Sequence, residues 1–325
     1  MSKQFRIQRT YAQIPVVAGG FALIDLPRGY DYETLFLRLT GSVQVTVAGT
    51  GVKAEAPTQA IARVELVADG RNTLHSAPYW NYVLAHYDRR QTQNGARPTT
   101  PPTAAAIATY AIEANGAVDF FTPDGIRPKD SNFRTDGLQL FQLRLTFGNA
   151  VDMFVGAATA NFIAGLMVEV STSEIVELAD PATGVKTVPV ALKKVSFQEI
   201  GVPATNANQE VRLPAGNMIK SVLLRSEISG DTSIAVINNL QAFSGVDVRL
   251  NMKGASLRAK NNNDFGFVQP GYYITDFSRN GSDSASLSEL WDVTNQAEPK
   301  ISLDVNGSAL TKVQAVVTEY IGLGK

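Results

Sequence analysis

The stretch FALIDLPRGYDYETLFLRL at 21–39 occurs in related form a second time, as QEVRLPAGNMIKSVLLR at 209–225. Each copy predicts a strand, a tight Pro-Xaa-Gly turn and a second apolar strand. Proline can end a strand and glycine supplies the dihedral angles that reverse the chain. Leu26 and Leu213 align at an offset of 187 (213 − 26). The same offset aligns these further pairs: Pro27 with Pro214, Gly29 with Gly216, Leu35 with Val222, Leu37 with Leu224, and Arg38 with Arg225.

Three shorter matches follow in the same order along the chain, with a shrinking offset. They are VELVADG at 64–70 with VRLNMKG at 248–254, FTPDG at 121–125 with FSRNG at 277–281, and LMVEV at 166–170 with VVTEY at 316–320, which aligns Glu169 with Glu319. Ordered matches of this kind indicate two copies of one unit, the first with longer loops. The period is near half the chain, whereas solenoid repeats span about 20–50 residues.

Length and composition agree with two folded units and exclude several classes of function. A chain of 325 residues exceeds the size at which one core is efficient, so two domains are expected. Charged residues make up 18%, against about 25% in an average protein. The net charge is −1 without a basic block, which argues against direct nucleic-acid contact. The absence of cysteine excludes disulfides, thiolate metal sites and a cysteine nucleophile, and fits folding in a reducing cytoplasm.

The alternating patterns predict an all-β chain with short helices in its loops. Residues 1–13 are polar and basic and predict an arm that becomes ordered only against a neighbour. Residues 78–90 predict a helix, because Trp80 begins an apolar stripe at i, i+3, i+4 and i+7. A second short helix is predicted near 286–293. The predicted strands are 21–26, 34–47, 61–67, 104–113, 117–122, 138–147, 162–170, 209–213, 219–227, 234–240, 246–252, 257–260, 265–277, 301–305 and 312–321.

The predicted domain boundary lies at 180/181. Turn residues from 171 to 190 indicate a linker, so 1–180 form the first domain and 181–325 the second. Asn115-Gly116 is predicted to be the turn between two strands of the first domain. About eight strands per unit with long crossovers favour a jelly roll, and two in tandem make a double jelly roll.

No catalytic or cofactor-binding constellation is found in the sequence. His75 and His86 are eleven residues apart and do not share the i, i+4 face of a helical zinc pair. Gly184 to Thr187 lack the upstream glycine of a phosphate-binding loop. The acidic residues of one loop-rich region are interpreted as turn formers, with a glycosidase carboxylate pair or a structural calcium site as the alternatives. These residues are Asp119, Asp124, Asp130 and Asp136.

Two further surface features have a structural and a functional interpretation. The Asn-Gly-Ser triplets at Asn280 and Asn306 match glycosylation acceptors, but hairpin turns explain them without a secretory signal. Tyr79, Trp80 and Tyr82 offer rings for stacking on a sugar, whereas helical spacing favours Trp80 as a core residue. Sugar stacking underlies the alternative function, a carbohydrate-binding or receptor-binding β-sandwich protein of a phage.

Several segments together carry a resemblance. They are I-P-x-V-x-A-G from 14, L-P-x-G with its following strand at 26–39, V-E-L-x-x-D-G at 64–70, Y-Y-I-T-D-F at 272–277 and T-E-Y-I-G at 318–322. In this order the chain resembles the double jelly-roll major coat proteins of tailless, membrane-containing icosahedral bacteriophages, most closely the corticovirus type.

The resemblance implies a structural protein of the virion capsid and not an enzyme. Three chains would form a pseudo-hexameric homotrimer, and neighbouring trimers would tile an icosahedral shell, with a separate penton protein at the vertices. The shell would enclose an internal membrane, and its subunits would assemble in the host cytoplasm. No cofactor is implied.

Overall fold

The computed structural model describes residues 4–83, 99–120, 132–177, 191–265, 268–277, 290–296 and 298–322. These residues fall into two compact units. Unit one contains the described residues up to Lys193, and unit two those from Lys194 onwards. The predicted boundary at 180/181 lies outside the described residues. Residues 171–177, predicted to begin the linker, are the end of a strand, Met167–Glu177.

Unit one is built from strands that follow the β pattern of the sequence. Its strands are β1 (Gln4–Pro15), β2 (Phe21–Asp25), β3 (Asp31–Val47), β4 (Gly51–Val52), β5 (Ile61–Ala68), β6 (Asn72–Ala77), β7 (Thr99–Thr100), β8 (Ala108–Asp119), β9 (Phe133–Arg134), β10 (Phe141–Phe147), β11 (Phe154–Val155), β12 (Thr159–Phe162) and β13 (Met167–Glu177). Its helical elements are α1 (Tyr79–Val83) and the 3-10 turns Ala56–Ala60 and Ala150–Met153.

Unit two has the same kind of composition. Its strands are β14 (Ala191–Gly201), which begins at the end of unit one, β15 (Asn206–Arg212), β16 (Met218–Ile228), β17 (Asp231–Thr232), β18 (Ile237–Ser244), β19 (Asp247–Lys253), β20 (Tyr272–Asp276), β21 (Trp291–Asp292), β22 (Lys300–Val305) and β23 (Thr311–Gly322); its helix is α2 (Gly254–Phe265).

The eight main strands pair in one topology in both units. In unit one the order is β1-β13-β3-β8 in the first sheet and β6-β5-β10-β2 in the second. In unit two it is β14-β23-β16-β20 and β19-β18-β22-β15. Each pair of sheets is the two-sheet, eight-strand jelly roll. The predicted fold class, two tandem jelly rolls with short helices in loops, is therefore confirmed.

The repeat that opens the sequence coincides with equivalent structure. Gly29 has φ 91° and Gly216 has φ 89°, the left-handed region that favours glycine. The strand that follows each turn, β3 or β16, is central in its first sheet. The match of 64–70 with 248–254 is wrong as an equivalence, because 64–68 belong to β5 while 248–253 belong to β19, the counterpart of β6.

Alternate residues of the central strands fill the cores. Leu35, Leu37 and Leu39 on β3 are buried, as are Leu143 and Leu145 on β10. In unit two one cluster joins the two sheets; its members include Val222, Leu224, Leu240, Ile301, Leu303, Ala315 and Val317. Period-two burial of this kind is what the sequence alternation predicts.

The predicted N-terminal arm is instead a strand of the first sheet. Residues 4–15 pair antiparallel with β13 along their whole length, with a bulge between Thr10 and Ala12. The basic residues that suggested an arm are partners of buried glutamates on neighbouring strands: Arg6 of Glu33 and Arg9 of Glu174. The strand is thus fixed within its own unit.

Three other local predictions are corrected. Residues 115–116 are not a turn, because β8 runs through them. Residues 257–260 belong to α2, in which Leu257, Asn261 and Phe265 are buried at i, i+4 and i+8. Residues 291–292, predicted to be helical, form β21 beside β16. The rest of the second predicted helix lies outside the described residues, apart from Leu290 and Val293.

Candidate functional site

The residues considered for chemistry do not converge in the described part of the chain. Asp119 is buried and accepts a hydrogen bond from Thr34 at 3.0 Å. Asp136 lies 4.0 Å from the guanidinium of Arg134. Asp124 and Asp130 lie outside the described residues. Among the residues that are described, no group of three or more His, Cys, Asp or Glu side chains is close enough together to hold a metal ion.

The aromatic residues proposed as a sugar platform are core residues. Tyr79, Trp80 and Tyr82 are all buried. The Tyr79 hydroxyl lies 2.7 Å from the carbonyl oxygen of Leu37 and 3.0 Å from that of Ala114. The interpretation of these rings as a binding platform is therefore wrong. The helix prediction holds for 79–83, while 84–90 lie outside the described residues.

The remaining predicted features are placed as follows. His75 is buried on β6, and its ring packs edge-on against Phe120 at 5.3 Å between centroids. His86, Gly184 to Thr187 and Asn280 lie outside the described residues. Asn306 lies in the connection between β22 and β23 and donates from its amide to the carbonyl of Ala235 at 2.9 Å. In the described ranges no helix is long and apolar enough to cross a membrane.

Each unit fixes its first strand to a buried glutamate. In unit one, Arg9 on β1 lies 2.8 Å from Glu174 on β13, whose side chain is fully buried. In unit two, Lys194 on β14 lies 3.2 Å from Glu319 on β23, also fully buried.

These two glutamates are equivalent. Glu174 pairs with Tyr32 and Glu319 with Ile219, and Tyr32 and Ile219 are separated by the repeat offset of 187 (219 − 32). The sequence match of Glu169 with Glu319 identified the right strands but the wrong residue, because β13 and β23 align at an offset of 145 (319 − 174) and the match used an offset of 150 (319 − 169).

A second ionic link joins the same two strands in unit two. Lys312 lies 2.8 Å from Glu199, which also accepts a hydrogen bond from Gln314 at 2.8 Å. Burial raises the pKa of Glu199, but the bonds from Lys312 and Gln314 outweigh it, and the pKa is lowered overall. The hydrogen bond that Lys312 donates to Glu199 correspondingly raises the pKa of Lys312. Strand β14 is thus fixed as an ordered part of unit two.

Exposed apolar residues gather at the connecting loops of one end of each unit. In unit one this end is held together by backbone bonds such as Gly19 to Gly148 at 3.1 Å and Gly49 to Ala105 at 2.9 Å. In unit two Ser229 bonds Leu310 at 2.9 Å. The large apolar residues exposed there are Val17, Phe21, Val47, Ile107 and Val151 in unit one and Ile228, Ile234 and Leu310 in unit two.

A second exposed feature lies on the outward side of the first sheet of unit one. Phe36 on β3 is 40% exposed. It borders a recess of about 280 Å³ lined by Phe36, Leu37, Arg38, Asn115, Gly116, Glu169 and Ser171. Scattered apolar residues are normal on a surface, but grouped ones mark contact with other molecules. The grouped apolar residues at the connecting loops are thus a candidate contact surface.

The comparisons with known proteins show a likeness of structure. No protein-family model and no curated protein sequence matches the chain. Its structure resembles that of the STIV MCP, the major capsid protein of the Sulfolobus turreted icosahedral virus. The TM-score is 0.72, with 16% sequence identity over 98% of this chain and 97% of that one.

Two further solved structures extend this likeness. The major capsid protein P2 of bacteriophage PM2 matches with a TM-score of 0.59 and 16% identity over 99% of this chain and 98% of that one. The PBCV-1 virus capsid matches with 0.62 and 12% identity over 98% and 94%. The chain therefore has, over almost its whole length, the double jelly-roll fold of these viral capsid proteins.

Proposed function

We propose that this protein is the major structural subunit of an icosahedral viral capsid and has no catalytic role. The observation that carries the proposal is the likeness to viral capsid proteins, which spans 98–99% of this chain and 94–98% of each solved chain. A likeness of that extent covers both jelly rolls and the segment between them, whereas a shared binding module would match one unit alone.

The internal duplication supports a subunit that surrounds itself with copies of itself. Two units with one strand order offer two related sets of surfaces, so three chains supply six similar units to a closed ring. We therefore propose a pseudo-hexameric homotrimer as the building block, with neighbouring trimers as its partners in the shell. A separate vertex protein and an internal membrane are the further partners, and assembly takes place in the host cytoplasm.

The exposed loops and the low charge fit this role. In the loops 16–20, 48–60, 101–107 and 148–166 of unit one, the charged residues are Lys53, Glu55 and Asp152 alone. Surfaces with few charges bury with little desolvation cost, which favours extended protein contacts. Nothing in the sequence offers the clustered cationic face that genome binding requires.

Light scattering coupled to size exclusion tests the proposal. The purified chain of 34.9 kDa is expected to run as a trimer of about 105 kDa (3 × 34.9) at micromolar concentration. Negative-stain images should show near-hexagonal particles. A monomer at every concentration up to 0.1 mM, in buffers that keep the chain folded, contradicts the proposal.

A further inference from the structure

Two side chains of unit two meet at the carboxylate of Glu319, one at each oxygen. The Lys194 ammonium lies 3.2 Å from Oε1, and the side-chain amide of Asn217 donates a hydrogen bond to Oε2 at 2.7 Å. Oε1 is buried and accepts no aligned hydrogen bond from the described residues, so its contact with Lys194 is ionic. A primary amine, a carboxamide and a carboxylate are therefore held together at one point of the fold.

The carboxylate lies on the apolar, inward side of its sheet. Val313, Ala315 and Val317 on β23 are core residues of unit two, and the next position of this period-two row is Glu319. Its side chain is 0% exposed, and its cross-strand partner Ile219 is also a core residue. Removing water from a charge pair costs much free energy. A proton that passes from the ammonium to the carboxylate removes both charges at once.

Unit one surrounds its equivalent carboxylate with groups that do not react. Glu174 is bound there by Arg9, whose guanidinium keeps its proton in proteins and is therefore no nucleophile. The position of Asn217 is taken by Tyr30, at the repeat offset of 187 (217 − 30), and tyrosine has no carboxamide. The Arg9 guanidinium lies 5.1 Å from the centre of the Tyr30 ring. The ion pair is thus common to both units, whereas the nucleophile and the amide occur together in unit two.

We propose that Lys194 and Asn217 join in a spontaneous intramolecular isopeptide bond, with Glu319 as the proton carrier. Lys194 passes a proton to Oε1 of Glu319, and a rotation of the lysine side chain brings the neutral amine onto Cγ of Asn217, where the new N–C bond forms. The bond from Cγ to Nδ2 breaks, and its electron pair stays on Nδ2. The Glu319 carboxyl gives its proton to Nδ2, which leaves as ammonia, and takes up the proton that the attacking nitrogen sheds. That proton departs with the ammonia as ammonium, which restores the carboxylate.

The geometry supports both proton transfers. The distances of 3.2 Å to the amine and 2.7 Å to the leaving nitrogen are within the reach of about 2.6–3.2 Å that general acid–base catalysis requires. The Lys194 side chain is 35% exposed, so the ammonia has a path to water. The bond ties β14 to the residue before β16, with β23 between the two strands. The reaction occurs once per chain, needs no cofactor and is independent of the proposed function.

Intact-mass spectrometry tests the bond directly. The folded wild-type chain, incubated until its mass is constant, is expected to weigh about 17 Da less than its sequence dictates, which is the mass of the ammonia that the lysine displaces. Trypsin, which cleaves after Arg212 and Lys220, should then release the fragment 213–220 attached to Lys194. Glu319→Gln should keep its full calculated mass. Lys194→Arg, which copies Arg9 of unit one and retains the ion pair, should keep its full mass as well and serves as the test if Glu319→Gln does not fold.

Peptide mapping separates the proposed bond from other losses of ammonia. The exposed Asn306 precedes Gly307, and closure of such an asparagine to a succinimide changes the mass equally. A loss that maps to Asn306, or that persists in Lys194→Arg, overturns the inference. A folded wild-type chain that keeps its full calculated mass overturns it too, and a Glu319→Gln chain that forms the bond as fast as the wild type overturns the role of Glu319. The capsid proposal is tested separately, by the assembled mass of about 105 kDa (3 × 34.9).

Discussion

His75 is a buried imidazole whose two ring nitrogens have no hydrogen-bond partner among the described residues. Burial, with a smaller contribution from the positive charge of Lys193, lowers its pKa from 6.5 to about 3. Below pH 6.5 the unfolded chain therefore binds a proton that the folded chain does not. The resulting contribution to stability is complete above pH 6.5 and is lost as the pH falls towards 3.

His75→Leu is expected to remove this part of the acid sensitivity of unit one. Between pH 6.5 and 5 the free energy of unfolding should fall by about 2 kcal/mol more in the parent than in the variant, at about 1.4 kcal/mol for each pH unit. Both proteins carry Trp291→Phe, so that the fluorescence of Trp80 in unit one reports urea unfolding. Parallel stability curves for the two proteins would contradict the assignment.

Single residues also explain where sequence reasoning reached its limit. Asn115-Gly116 has the composition of a hairpin turn, yet Gly116 lies inside β8 because Tyr79 packs against it. A Cβ added at Gly116 would lie 2.5 Å from the Tyr79 ring. The glycine marks a close approach between an aromatic ring and the strand, and local composition does not distinguish that role from a turn. The exposure of Phe36 likewise depends on whether another part of the protein covers the outward side of its sheet. Alternation along one strand does not reveal that.

Among the secondary-structure elements, strand β1 shows how ion pairs hold a polar segment in a sheet. Strand β1 is polar and basic, but Arg9 on β1 makes an ion pair with the fully buried Glu174. In addition, Arg6 lies 2.5 Å from Glu33, which also accepts a bond from Ser173 at 2.8 Å. The strand is thus held by its backbone ladder and by two side chains with unequal roles.

Arg9→Ala is expected to destabilise unit one by about 3 kcal/mol, because it leaves the buried Glu174 carboxylate without its cation. This value is at the lower end of the usual range because the Arg9 side chain is 37% exposed. Hydrogen exchange of the β1 amides should accelerate in the same variant.

Arg6→Ala on the same strand is the matched control. Its side chain is 56% exposed and Glu33 keeps the hydroxyl of Ser173, so the expected loss is below about 1 kcal/mol. Equal losses for the two variants would show that the buried pair has no special role.

The elements with a clear pattern of apolar residues were predicted well, whereas the elements fixed by tertiary contacts were not. Strand β3 follows from its alternating apolar residues, and β16 follows from its apolar run Val222-Leu223-Leu224. Helix α2 was interpreted in part as a strand, since its hydrophobic side consists of Leu257 and Phe265 with the polar Asn261 between them. The Asn261 side chain exchanges two hydrogen bonds with the backbone of Ile274, at 2.8 and 2.9 Å. That buried use of asparagine has no periodic signature.

For the whole molecule, the duplication was the feature that sequence comparison within the chain could detect. The turn glycines and the strands after them retain the repeat, because backbone geometry constrains them. Loops of unequal length change the offset between the copies to 145 (319 − 174) at β13 and β23, which is why the equivalence of Glu174 and Glu319 was missed. Which parts of the surface become buried depends on association between chains, and a single sequence does not show that.

The low charge of the whole chain leads to a prediction about how its assembly responds to salt. Interfaces held by exposed ion pairs weaken as the Debye length falls from about 14 Å at 0.05 M to about 3 Å at 1 M salt. Many exposed charges are paired within the chain, as Arg38 is with Glu113 and Lys312 with Glu199, so they contribute little across an interface. The mass of about 105 kDa is therefore expected to persist from 0.05 to 1 M sodium chloride. Guanidinium chloride at 1 M, which has the same ionic strength but weakens apolar contacts, should lower it towards 34.9 kDa. Dissociation by sodium chloride alone would instead mean that charges on different chains, and not apolar contacts, hold the copies together.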